Sequence, residues 1–277
     1  MKKATLVKVI KKILLYVFCI FETAIFIYPF YFVLISCTKK NNDIFSKPFI
    51  PSPEIHLENF TKAFSYGIGR QFLNSTILSV GTVVLSGILS CMISFALSRL
   101  RFRGRNFLRV YFVMGMMVPI QSIIVILAYM TNVLNLRDNY LILILLYTAF
   151  YMPLSTFIVT GQMNTMPSAL EEAAVIDGCS IYQVFFYIIV PLSKNAIATV
   201  SVFTFMYTWN DLLTAMILMG KTSMRTISVG LLNFTGAHSS DYGGLMAAIL
   251  FAILPPFIMY LVMQENLVKG LTSSAVK

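Results

Sequence analysis

The chain alternates long apolar stretches with short polar connections from one end to the other. A helix needs roughly 20 apolar residues to cross a bilayer core, and each stretch reaches about that length. The pattern therefore predicts an all-α, polytopic membrane protein with about six transmembrane helices in a single domain, residues 1–277. The predicted spans cover about 13–36, 72–98, 110–132, 139–162, 195–219 and 244–264.

Two of the polar connections are long. Residues 37–70 contain several prolines, which predict an extended and irregular course. Apolar residues then recur at helical spacing from Leu57 to Phe64, so we expect a short surface helix there. Residues 220–243 are rich in Gly, Ser and Thr and predict a polar loop.

The connection at 164–193 has its own internal order. Ser168 and Glu171 have the S-x-x-E spacing of a capping box, which predicts the start of a helix. Ser180 and Gln183 repeat this spacing as S-x-x-Q and predict a second start. The segment should therefore form a helix–turn–helix.

A turn at Gly178 separates the two predicted helices, since glycine is the usual residue after a helix end. On the first helix Leu170, Ala173, Ala174 and Asp177 recur at i, i+3, i+4 and i+7 and should share one face. Two neighbouring alanines on that face would let a partner backbone approach closely. The pattern indicates a docking element that projects from the membrane domain.

Charge sets the expected topology. Only 12% of residues are charged, against about 25% in soluble domains, and the net charge is +10. The basic residues flank apolar runs instead of forming a patch on a soluble domain, so we expect no nucleic-acid partner. Short loops decide orientation, and the arginines at 99–109 place both termini and 164–193 in the cytoplasm. The basic N-terminus leads into a span without a cleavage site, which we interpret as a retained first span.

Motifs for catalysis or metal binding are missing. The cysteines do not form C-x-x-C, and His56 and His238 are far apart in sequence, so no disulfide framework or metal site is expected. The sequence also lacks G-x-x-x-x-G-K-[ST], H-E-x-x-H and G-x-S-x-G. We therefore expect no catalytic residues and no cofactor of its own.

A few polar side chains lie inside the predicted spans, where they are costly. Glu22 falls in the first span, and Trp209, Asn210 and Asp211 fall in the fifth. Counting about 1.5 Å per residue places Asp211 roughly 24 Å into a 30 Å core. Asp211 could line a translocation path or pair with a neighbouring helix, and Trp209 could be an interfacial anchor.

Glu172, Ala173 and Ala174 are followed after three residues by Gly178, after nine more by Ile188, and after one more by Val190 and Pro191. This spacing resembles the EAA loop of ABC transporter permeases. That family usually has Leu where Val190 stands, which is a mild departure. By this resemblance, the residues expected to dock an ATPase are Glu171, Glu172, Ala173, Ala174, Asp177, Gly178 and Pro191.

The resemblance extends along most of the chain. Asn74–Ser75, the Trp209–Asp211 triplet and Val268–Thr272 are similar to the smaller permease of maltose-type sugar importers (MalG-like). That family more often ends in Ala-Gly-Ala-Val-Lys, where this chain has Ser273 and Ser274, so a role that needs the glycine is in doubt.

The resemblance implies a prokaryotic cell-membrane importer for a sugar or a related polyol. Its partners would be a second permease in a heterodimer, two ATPase subunits that bind ATP and Mg, an extracytoplasmic sugar-binding protein, and membrane lipid. Trp209, Asn210 and Asp211 become candidates for the translocation path.

Two other functions fit the composition. A proton-coupled secondary transporter could use the carboxylates within the spans, although no internal repeat supports it. An intramembrane acid protease could use Glu22 and Asp211 as its acid pair, although no second aspartate motif accompanies them.

Overall fold

The computed structural model describes residues 2–236 and 240–275, and the described part is helical, with an isolated bridge between Thr235 and Ser240. His238 lies outside the described residues. The first half contains helices α1 (Lys2–Ser36), α2 (Asn41–Ser46), α3 (Glu58–Ser65), α4 (Ile68–Arg99), α5 (Arg105–Gly115), α6 (Ile120–Val133) and α7 (Tyr140–Thr165). The second half contains α8 (Ala169–Ile176), α9 (Ile181–Gln183), a π-helical segment (Val184–Ile189), α10 (Val190–Leu192), α11 (Lys194–Asn210), α12 (Leu213–Leu218), α13 (Ile227–Gly230) and α14 (Tyr242–Ala275), with 3-10 turns at Thr222–Met224 and Leu231–Phe234.

Four helices in the described part, α1, α4, α7 and α14, are long and apolar enough to cross a membrane, and two bent helix pairs bring the number of spans up to six. These elements confirm an all-α, polytopic architecture and the first, second, fourth and sixth predicted spans. The surface helix predicted in the long connection is present as α3. The short helix α2 was not predicted.

The third predicted span is not one helix. It is divided into α5 and α6, whose axes are bent by 94° at the break. Pro119 has an extended backbone just before α6 and cannot donate an amide hydrogen bond to the preceding turn. Hydropathy over 110–132 is continuous, so the apolar run predicts the crossing but not the bend.

The fifth predicted span is interrupted as well. α11 ends at Asn210, Asp211 is extended, and α12 begins at Leu213. Asp211 accepts hydrogen bonds from the first turn of α12, at the Thr214 hydroxyl (3.0 Å) and the Ala215 amide (2.9 Å). The carboxylate thus starts a new helix instead of continuing the old one.

The described chain divides into two compact units, so the single-domain prediction for 1–277 stays a prediction. One unit comprises the chain up to Ile68 together with Leu231–Phe251. The other comprises Gly69–Gly230 and the chain from Ala252 onward. The candidate site residues of the helix–turn–helix and of the fifth span all belong to the second unit.

In the first unit, α3 packs on α14 through rings. Phe60 and Phe64 make edge contacts with Phe251 at centroid distances of 6.2 and 5.3 Å. Lys39 is buried and donates to the Lys47 carbonyl at 2.8 Å. Burial lowers the pKa of this ammonium group.

In the second unit, Asn74 and Ser75 hold the loop that precedes α13. The Asn74 amide donates to the carbonyls of Ser223 (3.0 Å) and Arg225 (2.8 Å). The Ser75 hydroxyl accepts from the Ile227 amide at 2.9 Å. The loop has no regular backbone hydrogen-bonding pattern of its own, so these side chains of α4 provide partners for its backbone groups. The contacts give the loop a defined position.

Candidate functional site

The segment 164–193 forms the predicted helix–turn–helix. Gly178 has φ of +84°, a left-handed conformation suited to glycine, and it ends the turn after α8. The second capping box is present: the Ser180 amide donates to Gln183 Oε1 at 2.7 Å, and the Gln183 amide donates to Ser180 Oγ at 3.4 Å. The helical path then continues through the π-helical segment to Leu192.

The first predicted capping box is not formed. The Ser168 side chain makes no cap hydrogen bond. Glu171 turns away from Ser168 and forms an ion pair with the Nε of Arg99, the last residue of α4. Arg99 Nη2 also donates to the Met166 carbonyl at 3.1 Å. A cation with a side chain only 14% exposed attracts the carboxylate more strongly than the backbone amide of Ser168, its partner in a capping box, would do.

This ion pair connects two parts of the chain that are far apart in sequence. Arg99 lies at the end of a long apolar helix, and Glu171 lies in the first turn of α8. The two side chains are 14% and 16% exposed, so solvent screens their attraction less than at an open surface. The pair fixes α8 against the end of α4. The Glu171 carboxylate is therefore used in a contact within this chain and does not point outward toward a partner.

The four residues predicted to share a face of α8 do share it, but Ala174, at one edge of that face, points inward. Ala174 is 6% exposed and belongs to a buried cluster with Phe95, Val159 and Phe185. Its burial follows from the packing of α8 on the π-helical segment, which the repeat of apolar positions alone did not indicate. Leu170, Ala173 and Asp177 remain exposed.

Six exposed residues on either side of the buried Ala174, at the end of α8 and in the turn that follows, form a surface that we call the tip. The tip consists of Glu172, Ala173, Val175, Ile176, Asp177 and Gly178. Val175 is 62% and Ile176 is 86% exposed. Sequence reasoning missed both, although two large apolar residues immediately before a glycine turn were a usable signal. Pro191, the last predicted docking residue, is exposed as well but lies in α10.

The helix–turn–helix continues into α11 through a bend of 69°. Backbone hydrogen bonds bridge this bend: the Ser193 amide donates to the Ile189 carbonyl at 2.9 Å, and the Ile197 amide donates to the Ser193 carbonyl at 2.9 Å. A bend with its hydrogen bonds in place transmits displacement better than a free loop does. The tip therefore has two connections to the membrane helices, one through Arg99 and one through Ser193.

Asp211 contacts a neighbouring helix and also borders a cavity, so both predicted roles apply to its position. Its Oδ2 accepts from the Tyr147 hydroxyl of α7 at 2.7 Å, in addition to its contacts with α12. The cavity has a volume of about 600 Å³. It is lined by Ile120, Gln121, Ile124, Tyr151, Met206, Tyr207, Asn210, Asp211, Leu212, Leu213 and Thr214. We refer to it as the polar cleft.

Aromatic rings form one wall of the polar cleft. Tyr151 of α7 and Tyr207 of α11 stack with centroids 5.3 Å apart and ring planes 13° apart. Asn210 is exposed in the cleft, and its amide donates to the Met206 carbonyl at 2.8 Å. Sequence reasoning missed both tyrosines, although Tyr207 lies at i−3 and i−4 to two predicted residues and must share their helix face.

Trp209 does not line the polar cleft, and it is not an interfacial anchor. It is 1% exposed, and its Nε1 donates to the Ala252 carbonyl at 2.9 Å. Pro256 lies four residues after Ala252 and has no amide hydrogen, so this carbonyl lacks its normal partner within α14. Trp209 supplies the missing donor, and its ring stacks on Phe205 at 5.4 Å.

Comparisons with known proteins place these features in a family context. The family described as "Binding-protein-dependent transport system inner membrane component" matches residues 83–273. A probable ABC transporter permease protein of Bacillus subtilis, YurM, is 34% identical over 250 residues, which cover 90% of this chain and 83% of that protein. The melibiose/raffinose/stachyose import permease protein MelC of Bacillus subtilis is 30% identical over 251 residues, 90% of this chain and 91% of that protein.

A solved structure has the same fold. It is the crystal structure of a bacterial ABC transporter involved in the import of the acidic polysaccharide alginate. One of its chains superposes with a TM-score of 0.77 at 19% sequence identity, covering 96% of this chain and 98% of that chain.

Proposed function

Because this chain belongs to the family of binding-protein-dependent transport system inner membrane components, the permeases of ABC transporters, we propose that it forms half of a translocation path for a sugar. The family membership supports a multi-pass permease over the proton-coupled transporter and the acid protease considered above. Hydrolysis of ATP would occur in a separate ATPase subunit that binds ATP and Mg.

The polar cleft is the observation that supports the sugar most strongly. Stacked Tyr151 and Tyr207 offer apolar ring faces, while Asn210 and Asp211 offer hydrogen-bonding groups beside them. Sugars present both apolar C–H faces and hydroxyl groups, so this mixture suits them. A volume of about 600 Å³ is within the usual range of small-molecule sites. A relative named for melibiose, raffinose and stachyose import supports an oligosaccharide as the substrate.

For coupling, we propose that the tip docks on the ATPase subunit. Glu172, Ala173, Asp177 and Gly178 are exposed and are free for such a contact. Glu171 and Ala174 would contribute indirectly, by holding α8 against the membrane helices. Movement of the ATPase would then reach α4 through Arg99 and α11 through the bend at Ser193, so the tip and the helices move together.

The assembly would contain a second permease as heterodimer partner, two ATPase subunits and an extracytoplasmic sugar-binding protein. We place it in a prokaryotic cell membrane with both termini cytoplasmic, because the short loop with five arginines at 99–109 dominates the charge rule. The tip is then on the side where ATP is available.

The proposal can be tested with the complex purified with its ATPase, second permease and binding protein, and placed in lipid vesicles. Melibiose, raffinose and maltotriose would be added in turn, and ATP hydrolysis and sugar uptake measured. At least one of these sugars should stimulate both activities. Tyr207→Ala should lower uptake about tenfold, since losing a stacked ring costs about 1–1.5 kcal/mol.

Tyr129→Ala is the matched control, because Tyr129 is 70% exposed on α6 and does not line the polar cleft. If no sugar stimulated hydrolysis, the substrate class would be wrong. If Tyr129→Ala and Tyr207→Ala lowered uptake equally, the polar cleft would not be part of the path.

A further inference from the structure

A basic cleft lies where α4 turns into α5. It has a volume of about 360 Å³ and is lined by Arg101, Phe102, Gly104, Arg105, Asn106 and Phe107. None of these residues belongs to the tip or to the polar cleft. The positive-inside rule, by which Lys and Arg accumulate in cytoplasmic loops, explains why arginines occur on this side of the membrane. It does not explain why they border a cavity together with two phenylalanines.

One arginine of the cleft is held in place by the backbone. Arg105 Nε donates to the Leu97 carbonyl at 2.7 Å, and its Nη2 donates to the Ser98 carbonyl at 2.9 Å. Arg109 Nη2 also donates to the Leu97 carbonyl, at 2.6 Å. The last carbonyls of a helix have no partner within the helix, so these contacts cap α4. They also fix a guanidinium charge at the wall of the cleft.

The neighbouring arginines are not engaged. Arg101 lines the cleft, and Arg103 lies two residues further along the same turn without lining it. Both are exposed, and within the described chain no hydrogen bond or ion pair occupies either guanidinium. No Asp or Glu occurs between Glu58 and Asp138 in the sequence. Of the described carboxylates, Glu171 reaches this region, and it is bound to Arg99. The cleft therefore carries positive charge without a counter-ion from this chain.

An apolar strip continues from the cleft. Phe102 is 40% exposed and Phe107 is 68% exposed, and Val110 and Tyr111 extend the apolar surface along α5 at 55% and 58%. A soluble anion would use the arginines and leave this strip unused. A molecule with a charged phosphate and apolar chains would use both.

We propose that this cleft binds the phosphate of an anionic phospholipid, with the acyl chains along Phe107 and α5. The turn from α4 to α5 is short, so its arginines stay close to the apolar helices and at the depth of the lipid headgroups. Clusters of basic residues immediately beside a transmembrane helix are suited to such headgroups. An acidic surface of the ATPase subunit is the competing occupant, but it would leave the apolar strip uncovered.

Native mass spectrometry of the complete complex would test this. The complex is placed in nanodiscs of phosphatidylglycerol and phosphatidylcholine, released into mild detergent, and the retained lipids are counted. An Arg101→Gln/Arg103→Gln double variant should bind phosphatidylglycerol about thirtyfold more weakly, from ~1 kcal/mol per basic residue. The control is Lys11→Gln/Lys12→Gln, which removes the same charge from exposed positions of α1.

Specific loss of phosphatidylglycerol from the arginine variant, with the lysine control unchanged, would support the site. Equal loss from both would show a general charge effect and overturn it. Unchanged lipid with loss of the ATPase subunit would assign the surface to protein contact and overturn it too. Displacement of the lipid by millimolar glycerol phosphate would contradict the role of the apolar strip, because that probe has no acyl chains.

Discussion

The tip and the polar cleft use carboxylates in opposite ways. At the tip, Glu172 and Asp177 are exposed and lack described partners, whereas Asp211 at the cleft accepts hydrogen bonds from Tyr147, Thr214 and the Ala215 amide. The tip is made from one short segment of chain, while the cleft gathers residues from α6, α7, α11 and α12.

This difference indicates different tasks. An exposed, compact element with unpaired charges is suited to contact another protein. A half-buried carboxylate with several partners is suited to hold helices in a defined arrangement while part of it faces a cavity. The bend at Ser193 joins the helix–turn–helix to α11, which contributes Met206, Tyr207 and Asn210 to the cleft. Under the proposed function, movement of the tip would reach the cleft through α11.

The largest expected effect concerns the side of the membrane on which the tip lies. With native cysteines removed, Ser52→Cys should react fully with an impermeant thiol reagent added outside intact cells, and Ser274→Cys should not react at all. Opening the cells should expose the second site, which controls for its reactivity. Reversed labelling would place the tip outside and remove its proposed role.

The next largest effect concerns the tip itself. Gly178→Val forces a branched side chain into φ of +84°, which costs about 1–2 kcal/mol. Ala173→Glu adds charge and bulk to an exposed contact, and loss of a hot spot of about 2 kcal/mol weakens binding about thirtyfold. Both variants should insert normally but lose the ATPase subunit during mild extraction, or lose stimulation of hydrolysis.

Two controls accompany these variants. Gly87→Val is placed in a helix where an added Cβ meets nothing within 4 Å. Asn164→Glu adds a charge at an exposed position before α8. Normal retention and normal stimulation in both tip variants would refute coupling through the tip, and equal loss in the controls would show that the effect is not local.

A smaller effect is expected at the link between α4 and α8. Arg99→Glu places two carboxylates together in a half-buried position. If their repulsion weakens the coupling by ~1.4 kcal/mol, stimulated hydrolysis should fall about tenfold. The ATPase subunit should stay bound, because the tip is unchanged. The exchange Arg99→Glu with Glu171→Arg should restore part of the stimulation. Failure of the exchange, together with loss of the ATPase subunit, would show a role in assembly instead.

The smallest effect is expected from Asp211→Asn, which keeps the size of the side chain and one acceptor oxygen. Weakening the hydrogen bonds that Asp211 accepts should cost ~1 kcal/mol, which corresponds to a fall in uptake of about fivefold. The complex should still assemble. Asp138→Asn is the control, because Asp138 accepts from the Lys221 amide in an exposed turn. Failure to assemble would leave Asp211 with a packing role only.

Sequence patterns predicted the helices but not their mutual contacts. Hydropathy identified the crossings because length and apolar content are local properties. The bend at Pro119 was not predicted, because the apolar run continues through it. The cap at Ser168 failed because Arg99, far away in sequence, competes for Glu171. Long-range partners of this kind cannot be deduced from spacing.

The site residues show the same limit. Gly178 could be predicted because a turn requires its conformation, and the structure confirms that conformation. The position of Trp209 could not, since it depends on a carbonyl of α14 that Pro256 leaves without a donor. Trp209 and the prolines of α14 were all visible in the sequence, but residue spacing did not indicate that the indole would contact α14.

Ala173 and Ala174 allow the most direct test of the central claim that the tip docks on the ATPase subunit. They are adjacent in sequence, yet Ala173 is exposed and Ala174 is 6% exposed. Each is replaced by cysteine in the complete complex without other reactive cysteines, treated with benzophenone maleimide and irradiated. A covalent product with the ATPase subunit should form from Ala173→Cys and not from Ala174→Cys. No product from Ala173→Cys, or equal products from both, would contradict the account.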